Sequence, residues 1–263
     1  MIDKIKIDQL AVQVYETCAT MGSDAAEHTA KKIRELLETR DSISIIFAAA
    51  PSQNEFLAAL LVQPNIDWHR IVAFHMDEYV GLSTDAPQGF GNFLKERIFS
   101  KVPFEQVHYL NGNAPDIELE CKHYSDLLNV YKPDVVCMGI GENTHIAFND
   151  PHVADLNDPK TVKVVDLDQQ CRQQQVNDAC FSSINDVPTH ALTLTVPCLL
   201  LPEWVFCIVP GTNKSDAVRY TLTEPISSRY PSTALRLHPN AILFLDKNSA
   251  SKIEDFFHSR KAI

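Results

Sequence analysis

Positive charge is scarce in this chain: 23 lysines and arginines stand against 34 acidic residues, a net charge of −11. Nucleic acid and anionic membrane surfaces both require a basic footprint, so neither is expected as the main partner. A small anionic ligand is still allowed, because one or two well-placed cations hold a phosphate whatever the global charge. Paired cysteine motifs are also missing. Cys18, Cys121, Cys137, Cys171, Cys180, Cys198 and Cys207 are scattered, odd in number and contain no CxxC. That pattern speaks against a structural zinc site or a disulfide framework and for a reducing, cytoplasmic compartment. Nowhere do eighteen apolar residues run together, and the opening MIDKIKIDQL has no apolar core of a secretory signal. There is no repeat, no low-complexity tract and no Pro/Gly/Ser-rich linker, so residues 1–263 read as a single domain.

What is present is alternation. The spacing predicts helices over 8–20 and 24–40, then a buried strand at Ile43–Phe47, which is β-branched and apolar. Ser52, with Glu55 three residues on, is in register for a capping box opening a helix to Leu61. Strands follow at 71–75, 107–110, 134–139, 161–167, 190–196, 204–209 and 241–246. Helices are expected near 89–99, 116–131 and 212–222, with one more closing the chain. Strands that alternate with helices and are apolar on both faces give an α/β fold. The expected architecture is a three-layer, doubly wound, mostly parallel sheet of modified Rossmann type. Ligands in such sheets sit beyond the carboxyl ends of the strands, where strand order reverses.

Four polar stretches lie just after strands. FHMDEYVGL places Asp77 and Glu78 after 71–75. Adjacent residues on an extended chain face opposite ways, so at most one of the two acids enters a pocket. The pair reads either as a solvated turn or as a general base with a pKa raised by burial. GIGENTHIAFNDP (139–151) holds His145, which exchanges a proton near neutral pH, between Asn143 and Asp150. In VPGTNKSDAV, Lys214 sits in the first turn of a helix, where a cation is unfavourable unless an anion lies between it and the helix start. FAAAPSQ has no phosphate-cradling glycines; Ser52, Gln53 and the helix-start amides are its candidates.

Taken together, FHMDEYVGL, YLNGNAPDI, GIGENTHIAFNDP, VPTHALTLTV and LRLHPNAI resemble, in order and spacing, the glucosamine-6-phosphate deaminase (isomerase) family. The related 6-phosphogluconolactonases share its fold. The resemblance implies conversion of glucosamine 6-phosphate and water to fructose 6-phosphate and ammonia, with neither metal nor organic cofactor. It matches Asp77 to the base that moves a proton between C2 and C1, and His145 to the group that opens the sugar ring. Lys214 matches a phosphate-binding lysine. The chain departs from the family pattern at several points. Asn143-Thr144 stands where the family has Asp-Gly, Asp150 where it has glutamate, and AAAPS where it has a Gly-Gly-Thr type sequence. The family's phosphate-binding arginine falls near Ala179–Cys180, which leaves Arg172 as the nearest substitute. A lactonase using His145 to activate water, or a sugar-phosphate-binding module without turnover, would use the same scaffold. The family contains oligomers and monomers, so homo-oligomerisation stays open.

Overall fold

The computed structural model describes residues 1–253. Eight strands form the main sheet: β1 (Asp3–Ile7), β2 (Leu10–Tyr15), β3 (Ile43–Phe47), β4 (Ile71–His75), β6 (Gln106–His108), β7 (Val135–Met138), β10 (Trp204–Val209) and β11 (Ala241–Asp246). Their order is β1-β2-β11-β10-β7-β3-β4-β6. All neighbours pair parallel except the β1/β2 hairpin. The remaining strands, β5 (Asp77–Tyr79), β8 (Val162–Asp166) and β9 (His190–Leu194), make a small antiparallel sheet in the order β5-β9-β8. The mostly parallel, doubly wound sheet is as expected. That three strands leave it for a second sheet is not visible in the sequence.

Strand pleating divides the core in two. Ile46, Phe74, Val136, Met138, Cys207 and Leu245 belong to one buried cluster, together with Tyr124 and Leu128 of helix α4 (Ile117–Tyr131). Their in-between neighbours Ile45, Phe47, Ala73, Cys137, Phe206 and Ile208 belong to the other. Met21, Ala25 and Ile33 of α1 (Cys18–Leu37) and Phe56 and Leu60 of α2 (Asn54–Leu61) complete that second cluster. Helices thus cover both faces, and strands buried on both sides have to be apolar at every position.

Residues 8–20 are not a helix. Leu10–Tyr15 is a strand, turned back on β1 through Asp8 with φ of 51°, and α1 begins only at Cys18 under a Thr17–Thr20 capping box. The alternating, β-branched LAVQVY gains a parallel partner in β11, which outweighs its helix-compatible spacing. The expected helix at 89–99 is α3 (Phe90–Leu94), continued by a π-helical turn over Lys95–Phe99. An unexpected helix, α5 (Gln169–Asn177), follows β8. The strand expected to reach residue 196 ends at Leu194, and Val196–Leu199 is a short helix, α6. Helix α7 (Ser215–Thr223) follows β10 after one 3₁₀ turn over Thr212–Lys214. The closing helix would fall largely beyond residue 253, outside the described residues.

The small sheet is held against the loop after β6 by a backbone approach that leaves no room for a side chain. A Cβ built on Gly112 would overlap the Tyr79 carbonyl oxygen, and the Gly81 N–H donates to the Gly112 carbonyl at 3.0 Å. Gly112→Ala has to displace backbone, not a flexible side chain. It is expected to lower unfolding stability by about 3 kcal/mol, read from the urea midpoint at unchanged m-value.

Candidate active site

Order reverses between β7 and β3, and the loops leaving β3, β4, β7 and β10 converge beyond their carboxyl ends. One cavity there is lined by Ser52 and Gln53, Asp77, Gly139 to Gly141, His145, Gln175 and Lys214. Phe90 and Phe148, stacked with centroids 5.4 Å apart, supply an apolar wall. Five residues picked out from sequence therefore meet around one hollow.

Asp77 opens β5, paired with Thr193, while Glu78 pairs with Leu192. The pleat turns the two acids to opposite sides. Asp77 lines the cavity just described, and Glu78 lines a neighbouring one with Asn92, Tyr109 and Asn113. Glu78 is fully engaged, its carboxylate accepting from the Tyr79, Phe90 and Gly91 N–H groups at 2.9–3.1 Å. Asp77 is buried, and its carboxylate has no hydrogen-bond or ion-pair partner among the described residues. Burial, and secondly the charge of Glu78, pushes its pKa well above the ordinary carboxylate value.

The backbone behind Asp77 is fixed by a residue that the sequence reading passed over. His75, wholly buried at the end of β4, accepts from the Leu110 N–H through Nε2 at 2.9 Å. Its Nδ1 must then carry the proton, donated to the Asp77 carbonyl at 2.9 Å. Only the neutral ring satisfies both contacts, and burial lowers the pKa from 6.5 to about 4 despite the Asp77 hydrogen bond.

The loop after β7 is wound tightly. Gly141 N–H donates to the His145 carbonyl at 2.8 Å and Thr144 N–H to the Gly141 carbonyl at 3.0 Å. A Cβ on Gly141 would run into the His145 ring. Asn149 ties the loop to β9 through its amide, which donates to the Ile146 and Leu194 carbonyls at 2.8 Å. Asn143 and Asp150 stand behind His145, away from the cavity lining. The Asn143 Oδ1 accepts from the His145 backbone N–H at 3.1 Å and lies 2.7 Å from His145 Nδ1, while its amide donates to Asp150 Oδ1 at 2.9 Å. Asp150 Oδ1 is itself 3.0 Å from Nδ1. Both groups facing Nδ1 are acceptors, so Nδ1 carries the hydrogen and Nε2 is left to the cavity. Burial works to raise the Asp150 pKa. The hydrogen bond and charge of His145, with Asn143 and the Asp168 N–H, outweigh it and hold the carboxyl below its ordinary value.

Thr144 occupies a position with φ of 74°, and its hydroxyl is buried without a hydrogen-bond partner. A β-branched residue is strained in that conformation.

Lys214 is also buried, and its ammonium donates no hydrogen bond and makes no ion pair among the described residues. Burial lowers its pKa, countered by the charges of Asp178 and Glu142. It is aimed by the turn at Gly211, whose φ is 94° and whose N–H donates to Asp246 at 3.0 Å. Ser52 does not cap α2: it lies inside the 3₁₀ turn Pro51–Gln53, no side chain caps the helix start, and the hydroxyl borders the cavity.

Arg172 is not part of the cavity. Its guanidinium donates to the Ile184 and Val187 carbonyls at 2.6 and 2.9 Å, pinning the chain that follows α5. The same helix sends Gln174 and Gln175 toward the cavity instead. Gln174 is committed to the Glu142 N–H at 2.8 Å, whereas the Gln175 amide has no such bond. The glutamine run at 173–175 was the available signal for this lining, but it has no amphipathic pattern to mark a helix.

Comparisons with known proteins identify the family and the fold. The family model described as glucosamine-6-phosphate isomerases/6-phosphogluconolactonase matches residues 16–243. A glucosamine-6-phosphate deaminase of Exiguobacterium is 35% identical over 198 residues, covering 75% of this chain and 76% of the relative. One of Listeria monocytogenes is 32% identical over 224 residues, covering 84% and 94%. A solved monomeric glucosamine-6-phosphate deaminase superposes with a TM-score of 0.83 at 30% identity over 92% of this chain and 99% of that one. A 6-phosphogluconolactonase from Thermotoga maritima shares the fold, with a TM-score of 0.74 at 22% identity over 90% and 100%.

Two outcomes test the local geometry. The folded-state pKa of His75 lies below the unfolded one, so the unfolded chain takes the proton first. The stability contributed by the neutral ring is full above pH 6.5 and is lost as pH falls toward 4, by roughly 3 kcal/mol. In His75→Asn, denaturant titrations across that window should lose this part of the slope. Thr144→Gly should raise stability by about 1 kcal/mol, because backbone strain and an unpaired buried hydroxyl disappear together. By its fold, its motifs and its relatives, this chain belongs to the glucosamine-6-phosphate isomerase/6-phosphogluconolactonase family.

Proposed function

We propose that the chain is a glucosamine-6-phosphate deaminase, which opens, isomerises and deaminates the amino-sugar phosphate to fructose 6-phosphate and ammonia. The observation that carries this reading is the meeting of an unpartnered buried carboxyl, Asp77, and an unpartnered buried ammonium, Lys214, on one cavity that also exposes His145.

Each group suits one demand of the reaction. Nε2 of His145 holds a lone pair facing the cavity, so it can take the proton of the anomeric hydroxyl as the ring opens and return one to the ring oxygen. Asn143 and Asp150 hold the ring in that tautomer. Asp77 takes the C2 proton and delivers it to C1. Its raised pKa makes the carboxylate a stronger base than an exposed one. Water then adds at C2 as ammonia leaves, which balances the overall conversion. The substrate phosphate answers the uncompensated charge of Lys214, with the Ser52 hydroxyl and the Gln175 amide as neutral donors in place of an arginine. The Gln53 amide, expected among them, is committed to the Ile208 carbonyl at 3.1 Å and to Ser52 Oγ at 3.3 Å.

The purified protein is expected to release ammonia and form ketose phosphate from glucosamine 6-phosphate, and not from unphosphorylated glucosamine. Asp77→Asn should cut kcat by about 10³ or more with little change in KM. A folded sample that gives no ammonia from any hexosamine 6-phosphate would overturn the reading.

A further inference from the structure

Behind the cavity, on the side of His145 away from the proposed substrate, three buried donors of different kinds come together. A ring nitrogen of His145, a carboxylate oxygen of Asp150 and Sγ of Cys171 all lie within 4.8 Å of one another, and Nδ1 is the nitrogen that faces Asp150, at 3.0 Å from its Oδ1. Cys171 is held in place from the first turn of α5, where its N–H donates to the N-cap carboxylate of Asp168 at 2.6 Å. Asn143 Oδ1, 2.7 Å from Nδ1, is a fourth donor at the same point. The reaction proposed above makes no use of the thiol.

Nitrogen, thiolate and carboxylate in one buried cluster are the ligand set of a borderline-soft dication, zinc above all. Tetrahedral zinc holds its donors about 3.5 Å apart. Nδ1 and Asp150 Oδ1 stand at 3.0 Å and all three donors lie within 4.8 Å, so the first pair opens slightly and any wider pair closes by at most about 1 Å around the ion.

We propose that His145, Asp150 and Cys171 form an inhibitory zinc site that switches the tautomer of the catalytic histidine. In the metal-free protein Nδ1 carries the ring hydrogen and Nε2 presents a lone pair to the cavity. Zinc takes the Nδ1 lone pair, so the ring hydrogen is relocated to Nε2 through solvent. The thiol proton of Cys171 is released to solvent, and Asp150 binds as the carboxylate. One proton leaves per ion bound, with no redox change. A histidine bound through Nδ1 and protonated on Nε2 has no lone pair left to accept a proton from the sugar. The inhibitory consequence rests on the deaminase reading, whereas the binding itself does not.

The full chain should be titrated with Co²⁺ as a spectroscopic probe and with Zn²⁺ in competition with a chromophoric chelator. The expected results are one ion per chain, one proton released, and a thiolate-to-cobalt charge-transfer band. Cys171→Ser should lose the band and bind zinc at least about tenfold more weakly, and Cys171→Ala should do the same. Cys18→Ser, which alters a thiol outside the cluster, should keep both. In the ammonia assay, zinc should inhibit reversibly on chelation, with half-inhibition shifted at least about tenfold higher in Cys171→Ser. Absence of the band in the unaltered protein, its loss in Cys18→Ser, or equal zinc affinity with and without Cys171 overturns the site. A charge-transfer band in a protein that releases no ammonia would leave the site standing and remove the deaminase reading.

Discussion

Everything in the pocket depends on the pleat of a three-residue strand. Because β5 is extended and paired to β9, Asp77 and Glu78 point to opposite sides, and their surroundings separate them completely. Glu78 is saturated by three backbone amides and becomes structural. Asp77 is left buried, without a partner among the described residues, and with a raised pKa. If β5 were helical or slipped by one residue, the satisfied acid would face the cavity and the reactive one would face a turn. Several otherwise costly features guard this register. They include the buried neutral ring of His75, the close approach at Gly112, and the antiparallel sheet that serves as a platform for the pocket.

The histidine is prepared by a different device. His145 sits in a loop wound so closely that Gly141 cannot carry a side chain, and acceptors on its Nδ1 side settle which nitrogen faces the cavity. The pattern Asn143-Thr144 stands where the family resemblance leads one to expect Asp-Gly. The amide still orients the ring, and Asp150 supplies the negative charge from behind. Thr144 is tolerated at the expense of a strained backbone. The same neighbourhood brings Cys171 beside Asp150, so the orientation of the His145 ring and the proposed metal site share one set of atoms.

Much of this was legible in the chain. Runs such as ISIIF, IVAFH and WVFCIV are apolar on both faces but for Ser44 and His75, because both faces of the sheet are covered, and that marks central strands of a parallel α/β fold. Polar residues directly after them point to the pocket, and period-two geometry indicates that Asp77 and Glu78 cannot both enter it. Other features were not legible for identifiable reasons. LAVQVY is equally compatible with helix and strand until β11 is known to lie beside it, and its hairpin turns through Asp8 without a glycine. The departure of β5, β8 and β9 into a second sheet is a matter of pairing, which local pattern does not encode. Arg172 was a reasonable stand-in for a missing arginine by chain position. The helical turn of α5 directs it to the Ile184 and Val187 carbonyls and sends the glutamines of the same run inward. His75 escaped notice because a buried histidine inside an apolar strand shows its role only through partners distant in sequence.

The proposed chemistry requires one spatial relation, with Asp77 reaching the reacting carbons of a sugar whose phosphate is held by Lys214. The most direct measurement is a crystal structure of the protein with fructose 6-phosphate bound. A carboxylate oxygen of Asp77 is expected within about 3.5 Å of C1 and C2, with the phosphate on Lys214 and Ser52. A phosphate bound elsewhere, or reacting carbons out of reach of Asp77, would contradict it.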